Sequence, residues 1–168
     1  ALARAGGGFW GMWLAHLGLV FSVIGVVLVS NYEVTRDYRM GPEDRVTMGN
    51  YQFQFEGTRA VGASNFRGDE GILNVFRNDR QVATLTPEKR FYTVQSSTMT
   101  EAGIDAGLFR DLYASLAEPL DDSRQVWSLR LQVKPFVRWI WLGAIFMALG
   151  GVVAVLDRRY RRKSGVTL

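Results

Sequence analysis

Two long apolar runs stand near the ends of this chain, and they dictate what it can become. Residues 9–29 and 139–156 hold no Asp, Glu, Lys or Arg. At about 1.5 Å per residue the first is ~30 Å long, the thickness of a bilayer's hydrocarbon core, and the second is also long enough to cross. Backbone inside lipid must satisfy its own hydrogen bonds, so each run is expected to be a transmembrane helix. Trp139 and Trp141 open the second run, where an aromatic belt would meet the membrane surface. After Asp157 come Arg158, Arg159, Arg161, Arg162 and Lys163. Such clusters stay in the cytoplasm. The expected order is a cytoplasmic segment at 1–8, a span at 9–29, an outward domain at 30–138, a span at 139–156 and a basic cytoplasmic tail at 157–168.

Charge follows the same division. Residues 30–134 carry thirteen basic and fifteen acidic side chains, while the rest of the chain carries seven basic and one acidic. The net charge of +4 thus comes from the membrane flanks, where topology requires it. That argues against nucleic acid as a partner, since the excess positive charge sits where topology needs it. The chain has no cysteine, which excludes thiol catalysis, zinc thiolate sites and covalent haem attachment to this chain. The outward domain must then rest on an ordinary core, which about 100 residues can supply. The chain starts at Ala1 without a methionine, and the expectation is a piece of a longer membrane protein.

His16 is the only histidine, and it lies inside the first run. An ionisable group at membrane depth is costly and usually functional, and neutral imidazole is a common axial ligand of haem iron. The other reading is a hydrogen bond to a neighbouring helix. Gly11, Ala15, Gly18, Ser22 and Gly25 form a stripe of small residues along the same run, suited to close helix packing in lipid. At 100° per residue His16 points about 140° away from that stripe, so it faces a different space. The second run offers its own small set, Ala144, Ala148 and Gly151, with Gly143 and Gly150 adjacent. Two helices cannot cover all these faces, so further helices are expected. Met147 is the only internal candidate for a second axial ligand, but a methionine there reads first as packing filler. The second ligand is expected from outside the chain.

Between the runs the pattern is β. Tyr51 to Phe55 alternates with period two, as does Trp127 to Val133, which Pro135 ends. Ile72 to Phe76, a turn at Arg77-Asn78-Asp79-Arg80 and Val82 to Leu85 read as a hairpin. Residues 32–39, 58–66 and 90–94 are further strand candidates. Residues 103–107 read as irregular, and 108–116 as either a short helix or a strand. The acidic pairs Glu43-Asp44, Asp69-Glu70 and Asp121-Asp122 read as solvated turns. Gly6-Gly7-Gly8 reads as a loose lead into the first span. Lys89-Arg90, beside Phe91 and Tyr92, could meet an anionic group but reads first as an exposed strand end. No catalytic constellation stands out. The fold expected is a membrane protein of α plus β class: two transmembrane helices flanking a small, mostly antiparallel β-domain.

At this point an ordered series of motifs resembles one family. It runs through Met12-Trp13-Leu14-Ala15-His16-Leu17-Gly18, Pro87-Glu88-Lys89-Arg90-Phe91-Tyr92 and Met99-Thr100-Glu101-Ala102-Gly103-Ile104-Asp105. It continues in Arg110-Asp111-Leu112-Tyr113, Trp127-Ser128-Leu129-Arg130 and Lys134-Pro135-Phe136-Val137-Arg138-Trp139-Ile140-Trp141-Leu142-Gly143. The series resembles the C-terminal part of CcmF, the membrane haem lyase subunit of bacterial c-type cytochrome maturation. A paralogous lyase for a nitrite-reductase cytochrome would share it.

The resemblance implies that His16 is an axial ligand of haem b, matching the later of two membrane histidines in the family. It implies that residues 30–138 are periplasmic, in the bacterial inner membrane. The family's remaining histidines and its tryptophan-rich WWD segment are absent here, so the chain would match about the last quarter of such a protein and would not be a complete catalyst. The implied reaction joins haem vinyl groups to the thiols of apocytochrome c. Implied partners are the remaining membrane helices of the lyase, other cytochrome c maturation subunits, apocytochrome c and haem. The alternative is a non-enzymatic, membrane-tethered β-domain acting as an assembly or docking module, which leaves His16 without a purpose.

Overall fold

The computed structural model describes residues 6–157; Arg4 and the basic cluster at 158–163 lie outside the described residues. The chain forms two compact units, one of residues 32–134 and one holding the two helices.

In the helical unit, α1 spans Gly7–Tyr32 and α2 spans Val137–Leu156. Both are long and apolar enough to cross a membrane. Gly7 and Gly8 are already helical, a correction to the loose lead expected there. The reason is a cap from afar: Gly8 N donates to Asp157 Oδ2 at 2.6 Å. The first amides of a helix have no partner within it, and a carboxylate beside them is favoured by the helix dipole.

The other unit is a sandwich of two sheets. Its strands are β1 (Val34–Met40), β2 (Arg45–Met48), β3 (Tyr51–Ala63), β4 (Phe66–Arg77), β5 (Arg80–Leu85), β6 (Glu88–Tyr92), β7 (Ser97–Glu101), β8 (Gly103–Ala106), β9 (Arg110–Pro119) and β10 (Trp127–Pro135). One sheet has the order β1-β10-β9-β8, the other β2-β3-β4-β6-β7, with β5 also on β4. Alternation builds the core directly. Trp127, Leu129 and Leu131 of β10 and Leu112, Ala114 and Leu116 of β9 are buried against Phe53, Phe55, Leu73 and Val75 of the facing sheet.

The expected β4–β5 hairpin is present, with Asn78 and Asp79 at φ 51° and 58° in its turn. Strand β4 pairs with β5 along one half and with β6 along the other. Pro87 interrupts the shared edge, and its carbonyl accepts from Gly71 N at 2.8 Å.

Several local readings change. Residues 58–66 are not one strand: β3 continues to Ala63 and the chain reverses at Ser64-Asn65 into β4. Residues 103–106 are strand β8, because they find a partner in β9. Residues 108–116, left open between helix and strand, mostly fall in β9. Asp69-Glu70 is no turn. It lies inside β4, where Glu70 is buried and paired with Arg59 directly opposite, and Asp69 meets Arg124 at 3.0 Å.

Candidate functional site

The two helices are held together by the small stripe. Gly11, Gly18 and Gly25 are the buried residues of α1, and Gly143 and Gly150 those of α2. Their seven-residue spacing keeps one face turned to a neighbour along the whole length. The approach is close enough to leave no room for a side chain. A methyl group on Gly18 would lie 2.5 Å from Gly143 O and 2.7 Å from Met147 N; on Gly11 it would lie 2.5 Å from Gly150 O. Ser22 Oγ donates to Ile140 O at 3.3 Å, and Phe21 meets the Trp139 ring edge-on at 5.2 Å. On α2 the partner face is therefore Gly143, Met147, Gly150 and Ala154. It is not the set Ala144, Ala148 and Gly151, of which Gly151 meets nothing within 4 Å.

His16 is on the outside of this pair, exposed and away from the stripe. Its Nδ1 lies 2.8 Å from Met12 O, one turn earlier. A carbonyl oxygen only accepts, so Nδ1 is the donor, which in the neutral ring leaves the lone pair on Nε2. Histidines that bind metals are typically held this way, with the second ring nitrogen anchored by a carbonyl or carboxylate. Met12, Trp13, Leu19, Val20 and Val23 are also exposed on α1, so the imidazole stands on an apolar surface. Chemically, this is an oriented nitrogen ligand on the outer face of an apolar helix. Met147 packs against Gly18, on the face of α1 turned from His16, and does not converge with it. Among the described residues no three of His, Cys, Asp and Glu gather around a common point. A metal at His16 would need its other ligands from a bound macrocycle or another chain segment.

The β-domain disposes of the remaining candidates. Lys89 and Arg90 sit within β6, not at an exposed strand end, and both are half-buried. They point to opposite faces. Lys89 Nζ donates to Ala117 O of the facing sheet. Arg90 bonds Glu88 at 2.7 Å, lies 3.9 Å from Glu101, and stacks 4.6 Å from the Phe66 ring. The Arg90 hydrogen bond holds the Glu88 carboxyl below its ordinary value. Asp44 and Asp121 are turn residues: Asp44 Oδ2 accepts from Gly41 N at 2.7 Å, and Asp121 Oδ1 from Val126 N at 2.8 Å. Sequence reasoning missed Arg67, whose guanidinium lies 5.5 Å over the Phe91 ring. The two face each other only through strand pairing, which no local pattern announces.

Comparison with known proteins agrees with this architecture. The family model for the CcmF C-terminal beta-sandwich matches residues 31–135. A cytochrome c-type biogenesis protein CcmF from Pseudomonas aeruginosa is 55% identical over 155 residues, which cover 92% of this chain and 23% of that protein. The Escherichia coli protein of the same name is 44% identical over 155 residues, covering 92% and 24%. A solved structure, cytochrome c heme lyase CcmF, has the same fold: the TM-score is 0.73 at 17% identity, over 88% of this chain and 24% of that one. The chain thus spans about a quarter of the length of the relatives it matches.

Proposed function

The chain belongs to the CcmF family, and from that premise we propose that it works in cytochrome c biogenesis as the C-terminal part of a membrane haem lyase. It is a membrane protein in which two apolar helices flank a mostly antiparallel β-sandwich. The single observation that carries the reading is His16: one histidine in the chain, in an apolar span, exposed, with Nδ1 anchored to Met12 O. His16 would hold the iron of haem b through Nε2. Haem b, when bound there, supplies an iron centre that can exchange one electron. The chain's own residues do the positioning. The Met12 carbonyl fixes the orientation of the imidazole ring. The surrounding apolar side chains keep water from the ligand face. Any further protein ligand of the iron would come from outside this chain.

The β-domain lies in the periplasm and both termini in the cytoplasm of the inner membrane; the charge cluster after Asp157 supports this orientation. The lyase as a whole joins haem vinyl groups to apocytochrome c thiols, together with its other membrane helices and the other maturation subunits.

The test is His16→Ala in the detergent-purified lyase, read by its visible spectrum. The expected result is loss of the haem b Soret band with the protein still inserted. Added imidazole should partly restore the band in His16→Gly, and should fail in His16→Leu, whose side chain fills the space. A wild-type spectrum in His16→Ala would remove the reading.

A further inference from the structure

The two sheets do not close against each other at both ends. Where β3 and β4 extend past the core, the inner face of the sheet changes from Leu73 and Phe55 to Asp69 and Arg67 on β4, with Lys89 and Phe91 opposite them on β6. The facing wall is Pro119 and Arg124. Between them is an open cleft of about 590 Å³. Lys89 confirms that this face looks across the sandwich, because Nζ reaches Ala117 O of the other sheet.

Charge in the cleft is unbalanced. Arg67, Lys89 and Arg124 line it with one carboxylate, Asp69. That carboxylate is already matched by Arg124 at 3.0 Å. Arg67 forms no ion pair among the described residues and is exposed, its guanidinium lying 5.5 Å over Phe91. Lys89 has a neutral carbonyl as its partner. Two cations are left facing the opening. The wall is also fixed. Arg124 holds φ 55°, a sparsely populated backbone state for a residue with a side chain, and its carbonyl accepts from Trp127 Nε1 at 2.8 Å and Thr58 Oγ1 at 3.4 Å.

We propose that this cleft binds an acidic peptide segment of a partner protein, with a carboxylate seated on Arg67 and Lys89 and an apolar neighbour against Phe91 and Pro119. Charge complementarity selects the carboxylate: a planar guanidinium recognises it bidentately, and its stacking on Phe91 leaves the donors at its rim available. Size selects the peptide. The cleft lies within the range of sites that bury drug-sized ligands, and a single inorganic anion would leave most of it empty. Its lining also mixes cations with an aromatic ring and a proline, which suits a carboxylate carried beside an apolar side chain. The proposal concerns the β-domain alone and does not depend on haem at His16.

The experiment uses the full chain in detergent and a short fluorescent peptide of alternating glutamate and valine, read by anisotropy. A second peptide carries lysine in place of glutamate. The glutamate peptide should bind, more tightly at low salt, and the lysine peptide should not. Arg67→Glu should weaken binding at least about tenfold and Arg67→Gln less. Arg80→Glu, at the far end of the β4–β5 hairpin, should leave it unchanged. Arg67 is exposed, so its variants should keep the wild-type circular dichroism and unfolding temperature. Equal binding of the lysine peptide overturns the proposal, as does an Arg67→Glu affinity within about twofold of wild type. Displacement of the peptide by inorganic phosphate at equal concentration would also overturn it, because the site would then be one for a small anion.

Discussion

Substituting Gly18 by alanine tests the packing of the membrane helices with a built-in reference. A Cβ at Gly18 would sit 2.5 Å from Gly143 O, 2.7 Å from Met147 N and 3.0 Å from Met147 Cγ, whereas ordinary contact begins at 3.4 Å. The methionine side chain can swing away. The two backbone atoms cannot, so the helices must part by roughly 1 Å, a disturbance of the overpacking kind that costs about 1–3 kcal/mol. Alanine also gains up to about 1 kcal/mol over glycine in helix propensity, which partly hides the cost. Gly151→Ala removes that ambiguity. Gly151 lies in the other helix with nothing within 4 Å of its Cβ position, so it takes the propensity gain alone. The difference between the two variants isolates the close approach, and it should be about 1–3 kcal/mol. The chain has no cysteine, so Leu17→Cys and Leu149→Cys, both at exposed positions, can carry a donor and an acceptor dye without competition. Separation of the helices is then followed by energy transfer during a titration with denaturing detergent. If Gly18→Ala and Gly151→Ala separate within about 0.5 kcal/mol of each other, the glycine stripe is not a contact face and the helix pairing described above is wrong.

Two further outcomes concern the β-domain. Asn78 holds φ 51° in the β4–β5 turn, and a β-branched residue pays more for that geometry than asparagine does, so Asn78→Val should lower stability by about 1–2 kcal/mol in thermal unfolding; an unchanged midpoint would contradict the turn. Hydrogen bonds from Arg130, Ser123 and Arg90 hold the carboxyls of Asp37, Asp121 and Glu88 below their ordinary values. As pH falls the unfolded chain therefore takes up protons first, near ~4, and the stability present above that point is lost as pH falls on through the folded values. A thermal midpoint that is flat from neutral pH to about 5 and drops below ~4 is expected; a rise on acidification would refute the pairings.

What the sequence discloses here depends on the range of the interaction behind each feature. The spans, the strand alternation at Tyr51 and Trp127, and the α1 stripe are local periods. They could be read because lipid and core each select a face every turn or every second residue. The face on α2 could not be chosen the same way. Gly143 and Gly150 lie about 100° from Ala144 and Gly151, both sets are small, and only the position of α1 decides between them. Strand β8 looked irregular for a similar reason: Gly103 to Ala106 has little propensity of its own and becomes a strand because β9 pairs with it.

The misreading of Asp69-Glu70 is the instructive case, because it hid the cleft. Two glycines flank the pair, and Gly-Asp-Glu-Gly is turn chemistry by composition. Yet the glycines answer a demand for space, not for a bend. A side chain on Gly68 would run into the Lys89 carbonyl of β6, and one on Gly71 would meet Leu116 at 3.2 Å across the sandwich. With glycine at both positions β4 can pair closely with β6 and pack against Leu116, and it carries Arg67 and Asp69 out beyond the core on the same face as Leu73. The cation facing the opening and its aromatic platform then arise from the pairing Arg67↔Phe91, between residues far apart in the chain. A glycine read as a turn signal should therefore also be tested as a site of close approach, since the two readings place the residues beside it on opposite kinds of surface. In this domain the second reading turns a solvated acidic loop into one wall of a positively charged cleft.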